Sequence, residues 1–202
     1  MPKTKEQFEK IKEERRKEIL DAALYLFAVD GYDAVTSDSI TRKVGCSHGL
    51  LYHYFKSKEE LFEYIVLEVV VSNYHEIVKD VNKEQNPKNF MRDLLNAYLE
   101  SLKMHDIKYA CSLYLLFNIH LQKKLYLKLQ EASANGKRRP FQIFHEKLQE
   151  GVASGEFYNG DATEMAIALS ACLKGLSYTK IHLGDEFECP SVDILMRMIA
   201  KD

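Results

Sequence analysis

Apolar residues recur along this chain at helical spacing, and nowhere do they alternate with polar ones long enough to predict a strand. A chain without strands buries its core by packing helix on helix. Ile19, Leu20, Ala23, Leu26 and Phe27 make one stripe on a first helix, which Asp30-Gly31 ends. Thr36 is the natural N-cap of a short second helix, with Asp38 in its first turn, Ile40 and Val44 on one face, and Gly45 as its stop. Ser47 caps a third helix of barely two turns ending near Phe55. Ser57 and Glu60 form a capping box that opens a fourth helix through about Val81.

Five more helices follow. Asn86-Pro87 starts one through Leu102, and Asp106 starts one to about Asn118. A long one runs from there to Ala153, where Asn135-Gly136 and Pro140 imply a kink or a break. Asp161 and Glu164 cap the next, to about Ile181, and Pro190 begins a last one ending near Ala200. The expected fold class is all-α with nine helices. Residues 1–56 read as a compact module of short helices joined by tight turns, and residues 57–202 as a larger body of long, aromatic-rich amphipathic helices.

Composition limits the function. At 202 residues and 46% hydrophobic, the chain can bury a core without staples. The four cysteines, Cys46, Cys111, Cys172 and Cys189, stand far apart with no C-x-x-C pair, so neither a disulfide framework nor a zinc pattern is legible. The charged N-terminus has no signal-peptide core, and the longest uncharged run, residues 109–122, is shorter than the ~18 residues a membrane span needs. A cytoplasmic protein with free thiols and no membrane partner is expected. No Ser-His-Asp order, H-E-x-x-H or Gly-rich phosphate loop appears, so no catalytic residue, metal site or cofactor is assigned.

Helices two and three are joined by Gly45-Cys46, a helix-turn-helix signature. Periodicity of about 100° per residue puts Leu51 and Phe55 on the buried face of helix three. Gly49 and His53 fall opposite, at about 160° and 200°, with Leu50 and Tyr52 on the flanks. A solvated helix this short usually shows Lys and Glu; this one shows glycine, histidine and tyrosine. In a major groove such a face has a use. Gly49 lets the backbone approach, His53 can bond a base edge, and Leu50 can touch a thymine methyl. The hydroxyls of Tyr52 and Tyr54 suit phosphate oxygens. The N-termini at Thr36, Ser47 and Ser57 supply free N–H groups, and Lys58 adds a point charge.

At these residues the chain resembles the DNA-binding domain of the TetR family of bacterial transcriptional regulators. The resemblance covers residues 16–61. It runs through Arg16, Ile19-Leu20, Ala23, Leu26-Phe27, Gly31-Tyr32, Val35-Thr36, Ile40, Val44-Gly45-x-Ser47-x-Gly49-x-Leu51-Tyr52-x-Tyr54-Phe55 and Lys58-Glu59-x-Leu61. Beyond them only the helix count, the turn Gly151-x-x-x-Gly155-Glu156-Phe157 and the Asp161-capped helix are similar to the family. The resemblance implies a nine-helix architecture with an N-terminal helix-turn-helix module on an effector-binding and dimerisation body. It implies a homodimeric repressor released from a palindromic operator by a small molecule. Carried over by position, Thr36, Tyr52, Tyr54 and Lys58 would contact phosphate, with Ser37 and Ser47 beside them at the helix starts; His48, Gly49, Leu50 and His53 would face bases. Cys46 departs from the family's usual aliphatic residue, and reads as a small core side chain or as an exposed redox-sensing thiol.

The same resemblance places Tyr98, Tyr114, Phe117, Phe144 and Tyr178 around a central cavity, where aromatic walls would suit a small hydrophobic or aromatic effector. Leu169, Cys172, Leu173 and Leu176, with Leu195, Met198 and Ile199, are more apolar than one packing face needs, and by resemblance form the dimer interface. Two rival classes, a helical interaction adaptor and an uncharacterised enzyme, have no motif of their own here. The formal net charge of −2 argues against a nucleic-acid partner only in bulk. Residues 1–60 carry 11 basic and 11 acidic side chains, yet residues 45–58 hold two lysines and no acid. Neutral overall charge predicts weak non-specific binding and reliance on a dimer with directed contacts. In the same terms, the basic and acidic residues 3–17 read as a solvated helix extension or as a DNA-contacting arm.

Overall fold

A computed structural model describes residues 5–82, 85–118 and 140–200. Among these residues every regular element is helical, so the all-α expectation holds. The chain divides into two compact units, one running to Val70 and the other starting at Val71.

The first unit begins with α1 (Lys5–Val29), which buries Ile19, Ala23, Leu24 and Phe27 almost completely. In α2 (Ser37–Val44), Thr36 accepts from the Ser39 amide at 3.1 Å while the Ser39 hydroxyl accepts from the Thr36 amide at 3.0 Å. Gly45 then turns left-handed, at φ 72°, and donates its N–H to the Thr41 carbonyl. Ser47 caps α3 (His48–Tyr54) by accepting from the Leu50 amide at 3.2 Å. Ser57 caps α4 (Lys58–Tyr64) by accepting from the Glu60 amide at 3.1 Å. The expected box is not closed in the usual way: the Glu60 carboxylate reaches past Ser57 to the Lys56 amide, at 2.6 Å.

The first compact unit runs past the expected division between residues 56 and 57, and Leu61 and Phe62 of α4, with Ile65, Val66 and Val70 after it, are all buried. The fourth helix is also not uniform. After Tyr64 it becomes π-helical over Ile65–Val70, and α5 (Val71–Val78) resumes ordinary winding in the second unit. Nothing in the composition of that apolar run announces a π-helix.

The second unit continues with α6 (Pro87–Lys103), capped by Asn86, α7 (Lys108–Asn118), α8 (Pro140–Ser154), α9 (Ala162–Leu183) and a short α10 (Val192–Met196). If the run from Lys58 to Val78 is counted as one helix, the described residues hold nine. Met91, Leu95, Leu102, Leu148, Leu169 and Leu195 form the core where α6 meets α8 and α10, and where α9 meets α7 and α8. The last helix is five residues rather than the eleven expected from Pro190 to Ala200, and single-turn bonds such as Ile199 N–H to Met196 carry the chain to Ala200. The expected kink at Asn135-Gly136, the basic run 137–139 and His120 lie outside the described residues.

The turn after α8 shows tight local fit. Gly155 takes φ 77°, Phe157 donates its N–H to the Gly151 carbonyl, and the Phe157 ring lies where a Gly151 β-carbon would be, 2.1 Å from it.

Candidate nucleic-acid interface

The surface of α3 is set by what it buries. Leu51 and Phe55 are 3% and 4% exposed, and Arg16 lays its guanidinium over the rings of Phe55 and Tyr64 at 5.5 Å and 4.3 Å. This seat turns Ser47, His48, Gly49, Tyr52 and His53 outward, with Leu50 and Tyr54 at the margins. An ideal β-carbon on Gly49 would meet only the Ser47 hydroxyl, at 3.8 Å, so backbone is bare at the centre of the face. Cys46 lies half-buried in the turn; burial pushes its thiol above the ordinary value, only partly offset by Arg15. Such a thiol is less reactive than an exposed one, which favours the reading as a small packed side chain.

The flanking groups form short chains of hydrogen bonds. Tyr52 donates its hydroxyl to Ser37 Oγ at 3.2 Å, leaving the Ser37 proton to point onward. The Nε2 of His48 stands 2.8 Å from Asp38 Oδ1, and so pairs with the acid nearest the face. Thr36 keeps its side chain in the α2 cap.

Two residues expected to contact phosphate are turned inward. Lys58 donates its ammonium to the Tyr32 and Val35 carbonyls, each at 2.9 Å, and lies over the Tyr32 ring at 4.2 Å. Tyr54 donates its hydroxyl to the Lys12 carbonyl at 3.0 Å; a phosphate only accepts, so this bond would have to break before Tyr54 could serve one. Both residues tie separate stretches of the unit together. Beneath Lys58, burial and then the Glu59 hydrogen bond push the Tyr32 phenol up to about 12. Arg42, which sequence reading left out, is exposed one turn after Asp38 on the same side of α2. Its signal was a base just ahead of the acid-free stretch 45–58. An open cleft of about 400 Å³ borders this surface, lined by Glu9, Lys12, Glu13, Arg16, His53 and Tyr54, with its charges balanced.

A family model described as "Bacterial regulatory proteins, tetR family" matches residues 19–65, the stretch just described. The transcriptional regulator SrpR of Pseudomonas putida is 25% identical over 175 residues, which span 86% of this chain and 78% of SrpR. Residues 19–65 are a TetR-family DNA-binding domain. The transcriptional repressor KstR2 of Mycobacterium tuberculosis is 33% identical over 94 residues, 45% of this chain and 46% of its own. A crystal structure of a tetR-family bacterial regulatory protein from Rhodococcus RHA1 shares the fold, with a TM-score of 0.65 at 21% identity over 93% of this chain and 98% of that one. With this domain the chain is a DNA-binding transcriptional regulator.

In the second unit of this regulator, the aromatic residues expected around a cavity separate into two groups. Tyr98, Phe117 and Phe144 line a cavity of about 50 Å³ together with Tyr74, Leu113 and Ser170. Tyr114 and Tyr178 do not; their rings lie 5.8 Å apart on α7 and α9, and Tyr178 is 47% exposed. The reason is helical phase: Tyr178 falls on the outward side of α9, one residue from buried Ser177. The Tyr98 hydroxyl is engaged by the Leu173 carbonyl and by Ser177 Oγ, and burial raises its phenol well above the ordinary value. Burial also pushes the Tyr74 phenol up to about 12.

The residues expected at a dimer interface divide in the same way. Leu169, Leu173, Leu195 and Ile199 are between 0% and 5% exposed, and side chains enclosed in their own core cannot also form a contact surface. Cys172 and Leu176 are half-buried and Met198 is exposed. The outward stripe of α9 is instead Ile167, Ala168, Ala171, Gly175 and Tyr178, and Ile194 joins Met198 as an exposed apolar side chain beside α10. No helix among the described residues is long and apolar enough to cross a membrane.

Proposed function

We propose that this regulator is a cytoplasmic homodimer that represses transcription from a palindromic operator and leaves it when a small apolar effector binds. The observation that carries the DNA half is the bare outward face of α3, held on Leu51 and Phe55. His48, Gly49, Leu50 and His53 meet base edges. Thr36, Ser37, Ser47 and Tyr52 serve phosphates, joined by Arg42. Tyr54 ties α3 to α1 and Lys58 ties α4 to the α1–α2 connection, instead of touching DNA.

The outward stripe of α9 supports the dimer: its small residues allow close approach, and Ile167 and Tyr178 supply apolar area that a lone protomer leaves in water. A dimer sets two α3 helices on half-sites an integral number of DNA turns apart. The effector site is the cavity at Tyr74, Tyr98, Phe117 and Phe144. Its walls carry hydroxyls and no charge, which suits a neutral apolar ligand. At about 50 Å³ it is far below the roughly 300 Å³ of an ordinary ligand pocket, so binding has to enlarge it.

A DNase footprint on the DNA upstream of the chain's own gene, with sedimentation of the free protein, tests this reading. The expected result is a dimer protecting two inverted half-sites. A monomer protecting one unrepeated site, or no protected site in DNA drawn from the whole genome, would overturn it.

A further inference from the structure

His48 stands at the start of α3 with its ring chemistry already decided by its neighbours. Nε2 lies 2.8 Å from Asp38 Oδ1, and an ionised carboxylate only accepts hydrogen bonds. The same nitrogen lies 3.5 Å from Thr41 Oγ1, whose own proton goes to the Asp38 carbonyl at 3.2 Å, so that oxygen also faces Nε2 with lone pairs. An unprotonated Nε2 would be repelled from both sides. In the neutral ring, therefore, Nε2 carries the proton and Nδ1 is a bare acceptor, with no partner among the described residues. The Tyr52 ring, 6.3 Å away and near parallel, limits how far the imidazole can swing.

In the major groove the hydrogen-bond donors are the amino groups of adenine (N6) and cytosine (N4), whereas guanine and thymine present carbonyl acceptors. We infer that Asp38 is a positioning residue that locks His48 as the Nε2–H tautomer, so that His48 selects an amino-bearing base, adenine or cytosine, at its position in each half-site. This rests on the proposed DNA contact of α3. It also gives Asp38, an acid beside a DNA-binding face, a purpose that offsets its repulsion of phosphate.

Two measurements on the full-length protein test the inference. Long-range ¹H–¹⁵N NMR at about pH 8, where ordinary imidazoles are neutral, should show His48 as the Nε2–H tautomer in the free wild type and a mixture in Asp38→Asn, whose amide can donate as well as accept. Selection from a randomised duplex DNA library then reads the base. His48→Ala should lose preference at one position per half-site. Wild type should hold adenine or cytosine there, with a roughly fivefold loss of affinity for guanine or thymine. Asp38→Asn should admit guanine and thymine at that position and leave the others unchanged.

A wild-type preference for guanine or thymine would overturn the inference. So would an Nδ1–H ring or an imidazolium, an unchanged tautomer in Asp38→Asn, or an Asp38→Asn that selects as wild type does. A His48→Ala that changes no position would overturn it too. If wild type enriches no sequence at all while the NMR result stands, the failure lies with the DNA contact itself, and base selection falls with it.

Discussion

Lys58→Met keeps the aliphatic stem and removes the ammonium, and so separates two roles for Lys58. The ammonium bonds the Tyr32 and Val35 carbonyls, 26 and 23 residues away in sequence, both at 2.9 Å. These carbonyls lie in the α1–α2 connection that presents Thr36 and Ser37. A hydrogen bond from a charged donor contributes about 1.5–3 kcal/mol when sheltered. Lys58 is half-buried, so solvent screening brings the two together down to about 2 kcal/mol. For a chain of this size that is a fall in Tm of about 4–8 °C, readable by circular dichroism. A residue whose main partner is phosphate behaves otherwise. Its removal leaves Tm alone and reduces the salt slope of DNA binding by about one phosphate's worth. An unchanged Tm with a shallower slope would refute the positioning role.

Gly151→Ala drives a methyl into the Phe157 ring, and a loss of about 1–3 kcal/mol or more is expected in chemical unfolding, partly recovered by adding Phe157→Leu. Gly45→Ala meets no atom but must hold φ 72°, so a loss of about 1 kcal/mol is expected, with Gly45→Asn less affected. The Thr163 and Glu164 amides hold the Asp161 carboxyl below its ordinary range. A depressed carboxyl adds stability above its unfolded pKa, near 3.9, and loses it as pH falls through the folded value. Asp161→Ala should therefore lower Tm at neutral pH, and the gap from wild type should narrow as pH drops below about 4; a gap independent of pH would count against the cap.

Features decided within one turn of chain were legible in the sequence. Thr36, Ser47, Ser57, Asn86 and Asp161 all cap the helices assigned to them, because a side chain that accepts from an amide two or three residues on needs no tertiary partner. The wheel of α3 was equally local, and Leu51 and Phe55 fix its phase. Bonds between distant residues were not legible. Tyr54 with Lys12 is separated by 42 residues, and a tyrosine on a short helix looks equally suited to phosphate or to a neighbouring carbonyl. Hydrophobicity likewise marked α9 as more apolar than one packing face needs but could not tell core from outer face. That assignment came from packing: Leu169 and Leu173 went inward, and Ile167 and Tyr178 were left outside. Glu60 reached Lys56 instead of Ser57 because a glutamate has length enough to select between adjacent amides.

The central claim is that the outward face of α3 enters DNA, and Gly49→Leu tests it with the fold as internal control. A β-carbon there would meet only Ser47 Oγ, at 3.8 Å, on an exposed face, so the variant should fold with Tm unchanged or slightly raised by better helix propensity. Leucine bulk between backbone and groove should reduce affinity for the footprinted operator by about 100-fold or more, as measured by fluorescence anisotropy at fixed salt. Wild-type affinity in a fully folded Gly49→Leu protein would contradict the claim.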